Sequence, residues 1–277
     1  MLSISRQGCY QQNARDKAWA AQMERLVFAC ELIRTEHPVL GIRKMYSMLC
    51  PDGVGRDRFE AYMLTHGFRV TYKDNFIKTT MPVRFSRHKN LLKGLSINNI
   101  NCVWVSDITY FIVGKTVYYI VFIKDVYSRM VVGYAANENM KADTIVKALE
   151  MAFKKRGIKK YNKTLIHHSD KGTQYLSNIY EAALGGREVL QSVANVVYEN
   201  PYAEVINRII KKEYLEHWVT NNLAEMKRNL VRAVTNYNEK RPHGSLQKDT
   251  PLQYEQRLLG LPLPNRKEMA FYTEESS

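Results

Sequence analysis

The chain has 277 residues, of which 45% are hydrophobic and 25% are charged, a composition typical of a folded globular protein with room for more than one domain. Its 41 Lys and Arg outnumber its 27 Asp and Glu, giving a formal net charge of +14; this excess favours a polyanionic partner such as the DNA backbone, with a merely basic protein as the alternative. Four scattered cysteines argue against a zinc module or a disulfide framework, and the absence of long apolar runs argues against a signal or membrane segment, so we expect a cytoplasmic protein.

The first 85 residues predict a helical domain. Apolar residues recur at three- and four-residue steps between Trp19 and Ile33, which indicates one amphipathic helix. Two shorter helices, Ile42–Leu49 and Arg56–Thr65, are predicted on either side of a glycine-rich turn. This is the pattern of a helix-turn-helix, in which Arg56 and Arg58 would begin the helix that meets DNA. A packed helical hairpin without a ligand fits the same segment.

A basic segment follows the helices. From Arg69 to Lys93 there are seven Lys and Arg and one acid, Asp74, which predicts either a linker lying on an acidic surface or a solvated tether. We place the linker at residues 86–98, between the helical domain (1–85) and a catalytic core (99–218). Residues 219–277 then form a C-terminal helical extension.

The remaining pattern predicts an α/β core with a mixed sheet and flanking helices. Its predicted elements are strands Val103–Tyr110, Val117–Ile123 and Met130–Tyr134, helix Ala142–Lys155, strand Thr164–His167, a short helix, strand Val189–Val193, and a long helix from about Tyr202.

Three carboxylates stand out in this core. Asp107 lies within an apolar strand, where an acid is costly unless it is paired or bound to a cation. Asp170 follows a second strand, and Glu204 lies in the first turn of the long helix. Brought together, they would form an all-oxygen site suited to Mg²⁺ or Mn²⁺. Taken singly, each acid also fits a structural role as a strand-edge charge, a turn residue or a helix N-terminal acid.

Several basic residues are candidates for DNA contact. Arg208 and Lys211 follow Glu204 by four and seven residues, so all three are expected on one exposed helix face. Lys171 follows Asp170 directly and is either a DNA contact or a turn residue. By contrast, we expect structural roles for Asp125 and His168.

The motifs around these residues are similar to one known family. The segments WVSDITY (104–110), HSDKGTQY (168–175), NPYAEVIN (200–207), KKEYL (211–215) and YNEKRPHGSL (237–246) resemble the integrase core and C-terminal signature of insertion-sequence transposases of the IS-three family. Gly41–Lys44 resembles the helical domain that precedes that core. The sequence departs from the family in having 33 residues between Asp170 and Glu204, slightly fewer than usual, and in Val205.

The resemblance implies a ribonuclease H-like fold and a DDE triad of Asp107, Asp170 and Glu204 that holds two Mg²⁺ or Mn²⁺ ions. It implies a transposase that cleaves one strand at the ends of an element and transfers it, acting on double-stranded DNA as a homo-oligomer in the bacterial cytoplasm, associated with the nucleoid. A DNA-binding protein from an upstream frame, separate or fused, is a further implied partner.

Four further residues lie within the matching motifs. Asn200 and Asn207 lie within the matching motif around Glu204, whereas Arg241 and His243 are expected either to order the C-terminal helices or to bind DNA.

The alternative functions are a nuclease of the same fold that only hydrolyses, and an inactive or domesticated derivative that binds DNA without cutting it.

Overall fold

The computed structural model describes residues 6–71, 88–158, 164–194 and 199–271. The chain divides into two compact units between Lys73 and Asp74. Among the described residues, no helix is long and apolar enough to span a membrane. All four cysteines are free thiols.

The first unit is a three-helix domain with its own core. Its helices are α1 (Arg6–Glu36), α2 (Ile42–Leu49) and α3 (Arg56–Thr65), and the bounds of α2 and α3 confirm the sequence prediction. The core contains Met23, Cys30, Met45, Phe59 and Met63, which confirms the predicted apolar face of α1. The left-handed conformation of Cys50 (φ 40°) ends α2, and a short turn then leads to α3.

The second unit is built on a five-stranded mixed sheet. Its strands are β2 (Val103–Val113), β3 (Thr116–Asp125), β4 (Val131–Asn137), β5 (Ile166–Ser169) and β6 (Leu190–Val193). They lie in the order β4-β3-β2-β5-β6. The first three along the chain pair as antiparallel neighbours, and β5 lies parallel to both β2 and β6. This is the ribonuclease H-like mixed sheet that the sequence predicts.

Helices cover both faces of the sheet. One face packs on α4 (Ala142–Arg156) and α5 (Asn178–Gly185), and the other on α6 (Pro201–Glu213) and α7 (Leu223–Thr235). The contact between α4 and β4 is tight, because a Cβ on Gly133 would lie 2.1 Å from the backbone oxygen of Ala148. Glycine at this position therefore allows the helix to approach the strand closely.

Short elements close the unit around the sheet. A π-helical turn (Asn236–Lys240) follows α7 and is followed by α8 (Pro251–Leu259). The two-residue strands β1 (Ser96–Ile97) and β7 (Met269–Ala270) pair antiparallel.

At the turn between β3 and β4, Asp125 accepts hydrogen bonds from the backbone N–H groups of Asn101, Tyr127 and Ser128. Its predicted structural role is confirmed.

The predicted basic segment, Arg69–Lys93, lies partly on residues 72–87, outside the described residues. Its part from residue 88 onwards belongs to the second unit. Lys93 is 3.4 Å from Glu199, and Asn90 donates a hydrogen bond to the same carboxylate at 2.8 Å. Leu92 and Ile97 are buried in an apolar cluster of the second unit, so residues 88–98 belong to that unit. The segment Lys154–Lys163 holds six basic residues in ten and suits either phosphate contacts or an exposed helix end; residues 159–163 of it lie outside the described part of the chain.

Candidate active site

Asp107 and Asp170 lie on adjacent parallel strands. Asp107 is in the middle of β2, the central strand, and Asp170 follows the last residue of β5. Trp104 pairs with His167 and Val105 with His168, and continuing this register places Asp107 opposite Asp170. Neighbouring strands are about 4.8 Å apart. The sheet thus brings the two predicted acids side by side.

Helix α6 places Glu204 beside this pair. Three side chains tie the helix to β2. From the N-cap, Asn200 Nδ2 donates to the Ser106 carbonyl at 2.9 Å; from within the helix, Asn207 Nδ2 donates to Asp107 Oδ2 and Lys211 Nζ donates to Thr109 Oγ1, both at 2.8 Å. Glu204 lies between the first two of these contacts and is exposed. The helix that carries the third acid is therefore fixed to the strand that carries the first.

The acids influence one another electrostatically. Burial, and next the negative charge of Asp170, raise the pKa of Asp107 to about 7; Glu204 raises it further, while a backbone N–H and the Lys211 charge oppose the rise. Burial also raises the pKa of Asp170, against a hydrogen bond from the Gly172 N–H to its Oδ1 at 3.1 Å. Half-buried acids that repel one another are costly in isolation, and a bound cation would relieve that cost.

The donor set fits a hard divalent cation. The predicted ligands are carboxylate oxygens, the type that Mg²⁺ and Mn²⁺ prefer. In the part of the chain that the structure describes, no three His, Cys, Asp or Glu side chains are drawn together closely enough to form a metal-holding group.

The two cations predicted on α6 differ in their surroundings. Arg208 is exposed, as predicted. Lys211 is half-buried: its ammonium bonds Thr109 and lies 5.4 Å from the centre of the Tyr110 ring, and burial lowers its pKa. The prediction that Lys211 lies on an exposed face was wrong, because α6 packs along β2 and that position points into the seam.

The histidines and Arg241 are structural in this fold. His168 is buried, with Nδ1 2.8 Å from Ser192 Oγ and Nε2 3.1 Å from the Glu199 carbonyl. Arg241 is 5% exposed and forms an ion pair with Glu213. His243 is 7% exposed and packs edge-on against the Tyr237 ring. Of the two roles expected for Arg241 and His243, the structure supports the ordering of the C-terminal segment.

The remaining basic candidates occupy different surroundings. Arg56 is exposed and forms an ion pair with Asp57 at 2.8 Å. Arg58 lies 3.5 Å from the centre of the Trp19 ring, so it is stacked against α1. Lys171 is half-buried beside Asp170.

Two buried polar groups near the acids were missed in the sequence. Tyr175 is fully buried, and its hydroxyl accepts a hydrogen bond from Ser106 Oγ at 3.0 Å, next to Asp107. Lys124 is 2% exposed and donates to the Tyr202 carbonyl in the first turn of α6 at 3.3 Å. The signal for Lys124 was present, since it is the one cation in the apolar run from Val117 to Lys124.

Comparison with known proteins identifies the class that this fold and these acids define. An integrase core domain model matches residues 98–197, and a second integrase core domain model matches residues 195–251. The protein is a DDE polynucleotidyl transferase with an integrase core.

Relatives narrow the class to a family. The chain is 30% identical over 272 residues, 93% of its length and 97% of the relative's, to a protein of Shigella sonnei called the uncharacterized 31 kDa protein of insertion element IS600. It is 28% identical to the transposase for insertion sequence element IS629 of the same species, over 74% of this chain and 70% of that one. The chain belongs to the IS-three family of insertion-sequence transposases.

A third relative and a solved structure are more distant. Transposase InsF for insertion sequence IS3A of Escherichia coli is 28% identical over 64% of each chain. The magnesium-bound catalytic core of HTLV-2 integrase aligns with 60% of this chain and 99% of its own, at 17% identity and a TM-score of 0.43, a similarity too low to assign function.

Proposed function

We propose that Asp107, Asp170 and Glu204 form the catalytic triad of this transposase and hold two Mg²⁺ or Mn²⁺ ions. The observation that carries the proposal is the register of β2 and β5, which, continued by two residues, brings Asp107 level with Asp170. The charge of Asp170 adds to burial in raising the pKa of Asp107. Glu204 completes the set from the first turn of α6, a helix tied to β2 by three hydrogen bonds.

The chain's own groups orient these carboxylates. Asn207 donates to one oxygen of Asp107, and the Gly172 N–H donates to Asp170. Lys211 places a positive charge beside Asp107, which favours its ionised, ligand-competent form. When bound, two divalent ions activate an attacking oxygen and stabilise the leaving oxygen of an in-line phosphoryl transfer.

Such a centre supports two successive reactions. In the first, a water oxygen attacks the phosphorus at an element end and the 3′-oxygen leaves as a hydroxyl. In the second, that hydroxyl attacks a phosphorus of the target strand, and the bond to its neighbouring 3′-oxygen breaks. One strand is thus cut and joined, which separates a transposase from a nuclease that only hydrolyses.

We propose that basic residues of each unit contact DNA. In the second unit these are Lys171 and Arg208, which follow Asp170 and Glu204 along the chain, and Lys211, whose charge lies near Asp107. In the first unit, Arg56 and Arg58 begin α3. Their positive charges, with a net charge of +14 for the chain, suit phosphate contacts that position DNA without specifying its sequence.

We further propose the DNA substrates, the oligomer and the partner protein of this transposase. We expect double-stranded element ends and target DNA as substrates, a homo-oligomer on that DNA, and an upstream-frame DNA-binding protein, separate or fused, as the source of end recognition. The site of action would be the nucleoid in the bacterial cytoplasm.

The test is a metal titration on a duplex carrying the element end, scored for nicked and strand-joined products. Mg²⁺ or Mn²⁺ should support both products, and Ca²⁺ should support binding with little chemistry. Cleavage that persists in excess EDTA would refute the metal site. Nicking without joined products under all metals would identify a hydrolysis-only nuclease, and binding that never leads to cleavage would identify a DNA-binding derivative.

A further inference from the structure

Only one end of the Asn207 side-chain carboxamide has a hydrogen-bond partner among the described residues. Its side chain is 5% exposed. Its Nδ2 donates to Asp107 Oδ2 at 2.8 Å, whereas its Oδ1 has no hydrogen-bond partner among residues 6–71, 88–158, 164–194 and 199–271. A buried carboxamide oxygen without a partner is destabilising, so this arrangement calls for an explanation beyond packing.

The orientation of the carboxamide follows from its neighbour. An ionised carboxylate only accepts hydrogen bonds, so the NH₂ end of Asn207 has to face Asp107. The oxygen is then the end left over, beside the acid rather than bonded to it. Asn207 also follows Glu204 by one helical turn, and so shares its side of α6. The unsatisfied oxygen therefore lies beside Asp107, on the side of α6 that carries Glu204.

We propose that Asn207 is a positioning residue for the cation. Its Nδ2 holds Asp107 in one rotamer, with Oδ1 of that carboxylate left to bind the ion. Its own Oδ1 accepts a hydrogen bond from the hydration shell, because Mg²⁺ keeps several waters when proteins bind it. Groups that orient ligands in this way tune metal affinity strongly. This inference rests on the proposed triad, which it deepens by one residue.

Asn238 supplies a matched control. It is also buried, at 3% exposure, and it bonds the N–H and the carbonyl of Val131 with its two ends. Both asparagines are therefore buried carboxamides of the second unit, but only Asn207 touches a proposed ligand. Loss of Asn238 should lower stability and leave cation affinity unchanged.

The experiment measures Mn²⁺ binding to the full chain without DNA, by calorimetry, for wild type, Asn207→Leu, Asn207→Ala, Asn238→Ala and Asp107→Asn. Asn207→Leu and Asn207→Ala should weaken Mn²⁺ binding by roughly 10- to 100-fold, and Asn238→Ala should not. In cleavage assays the Asn207 variants should need more Mn²⁺ for half-maximal rate and should recover much of the rate at saturation. Alanine is included because leucine could disturb packing.

The outcomes separate the two proposals. Wild-type affinity in a folded Asn207 variant would overturn the role of Asn207 while leaving the triad intact. A wild-type chain that binds no Mn²⁺, or binds it equally well with Asp107→Asn, would overturn the triad and this inference with it. Weakened binding in both the Asn207 variants and Asn238→Ala would show a general loss of structure, which also counts against a specific role.

Discussion

Arg241 and Glu213 form a buried, two-pronged ion pair. Nε donates to Oε2 at 2.7 Å and Nη2 donates to Oε1 at 2.6 Å, with side chains only 6% and 11% exposed. Glu213 is the last residue of α6, the helix that carries Glu204, and Arg241 follows the π-helical turn after α7. The pair thus fastens the C-terminal segment to the helix that carries Glu204.

Removing one partner of this pair should be costly. Arg241→Met leaves Glu213 buried without its cation, and breaking a buried pair in this way typically costs about 3–5 kcal/mol. The free energy of unfolding in urea should fall by that amount. The control is Arg228→Met, whose side chain is 70% exposed and pairs with Glu225 within one helix; its effect should stay within about 0.5 kcal/mol. Equal effects in the two variants would contradict a structural role for the Arg241 pair.

Glu204→Gln should separate chemistry from binding. The substitution keeps the shape of the side chain but removes the charge that a cation needs, so cleavage of an end-sequence duplex should collapse while DNA affinity stays the same or tightens through lost repulsion. Because Glu204 is exposed, folding should hardly change. Glu138→Gln, at an exposed acid that follows β4, is the control and should cleave normally. Normal cleavage by Glu204→Gln would remove it from the triad, and unfolding would show that it is structural.

Substitution of the two cations of α6 should produce different defects in DNA binding and cleavage. Arg208→Ala removes an exposed charge, so affinity should fall and the slope of log affinity against log salt should become shallower by about one. Lys211→Ala should also slow cleavage at saturating DNA, because its charge lies next to Asp107. The measurement pairs affinity at several salt concentrations with single-turnover cleavage. Identical defects in the two variants would contradict the different surroundings of these residues.

Lys124 should make stability depend on pH above neutrality. Burial, and then the charges of Arg129 and Arg241, lower its pKa to about 7, whereas an unfolded lysine titrates near pH 10.4. Between these values the unfolded chain binds more protons, so this group makes the free energy of unfolding rise with pH from about 7 to about 10. Below pH 7 both states are protonated and its contribution to the slope vanishes.

The check compares urea unfolding of wild type and Lys124→Met at pH 6, 7.5 and 9. The variant should lose part of the rise between pH 7.5 and 9. Lys147→Met, at an exposed position of α4, serves as the control. If Lys124→Met keeps the wild-type slope, the lysine is not held in an unfavourable environment.

Local pattern was enough to predict most elements of the fold. The helices Ile42–Leu49 and Arg56–Thr65 are flanked by a proline and glycines, which define helix ends sharply. Strand β2 was predicted three residues too short, because Phe111, Ile112 and Val113 break the alternation near the turn. Local pattern also placed Asp107, Asp170 and Glu204 on a strand, a loop and a helix.

What could not be predicted depends on contacts between distant segments. The half-buried state of Lys211 follows from the packing of α6 along β2, more than 100 positions away in the chain. The pairing of Arg241 with Glu213 also joins separate helices. Helical periodicity assigns a face to each residue, but it does not say which neighbour covers that face.

The attachment of α6 to β2 also sets when the proposed centre can be completed during synthesis. Asp107 is made early in the core, whereas Glu204 and the two asparagines that bond to β2 are made about a hundred residues later. During translation the central hairpin can form without them, but the third acid arrives only when α6 leaves the ribosome. Under the proposed triad, a product that ends before this helix would carry only two of the three acids. The order of the elements along the chain would therefore delay completion of the centre until most of the core has been made.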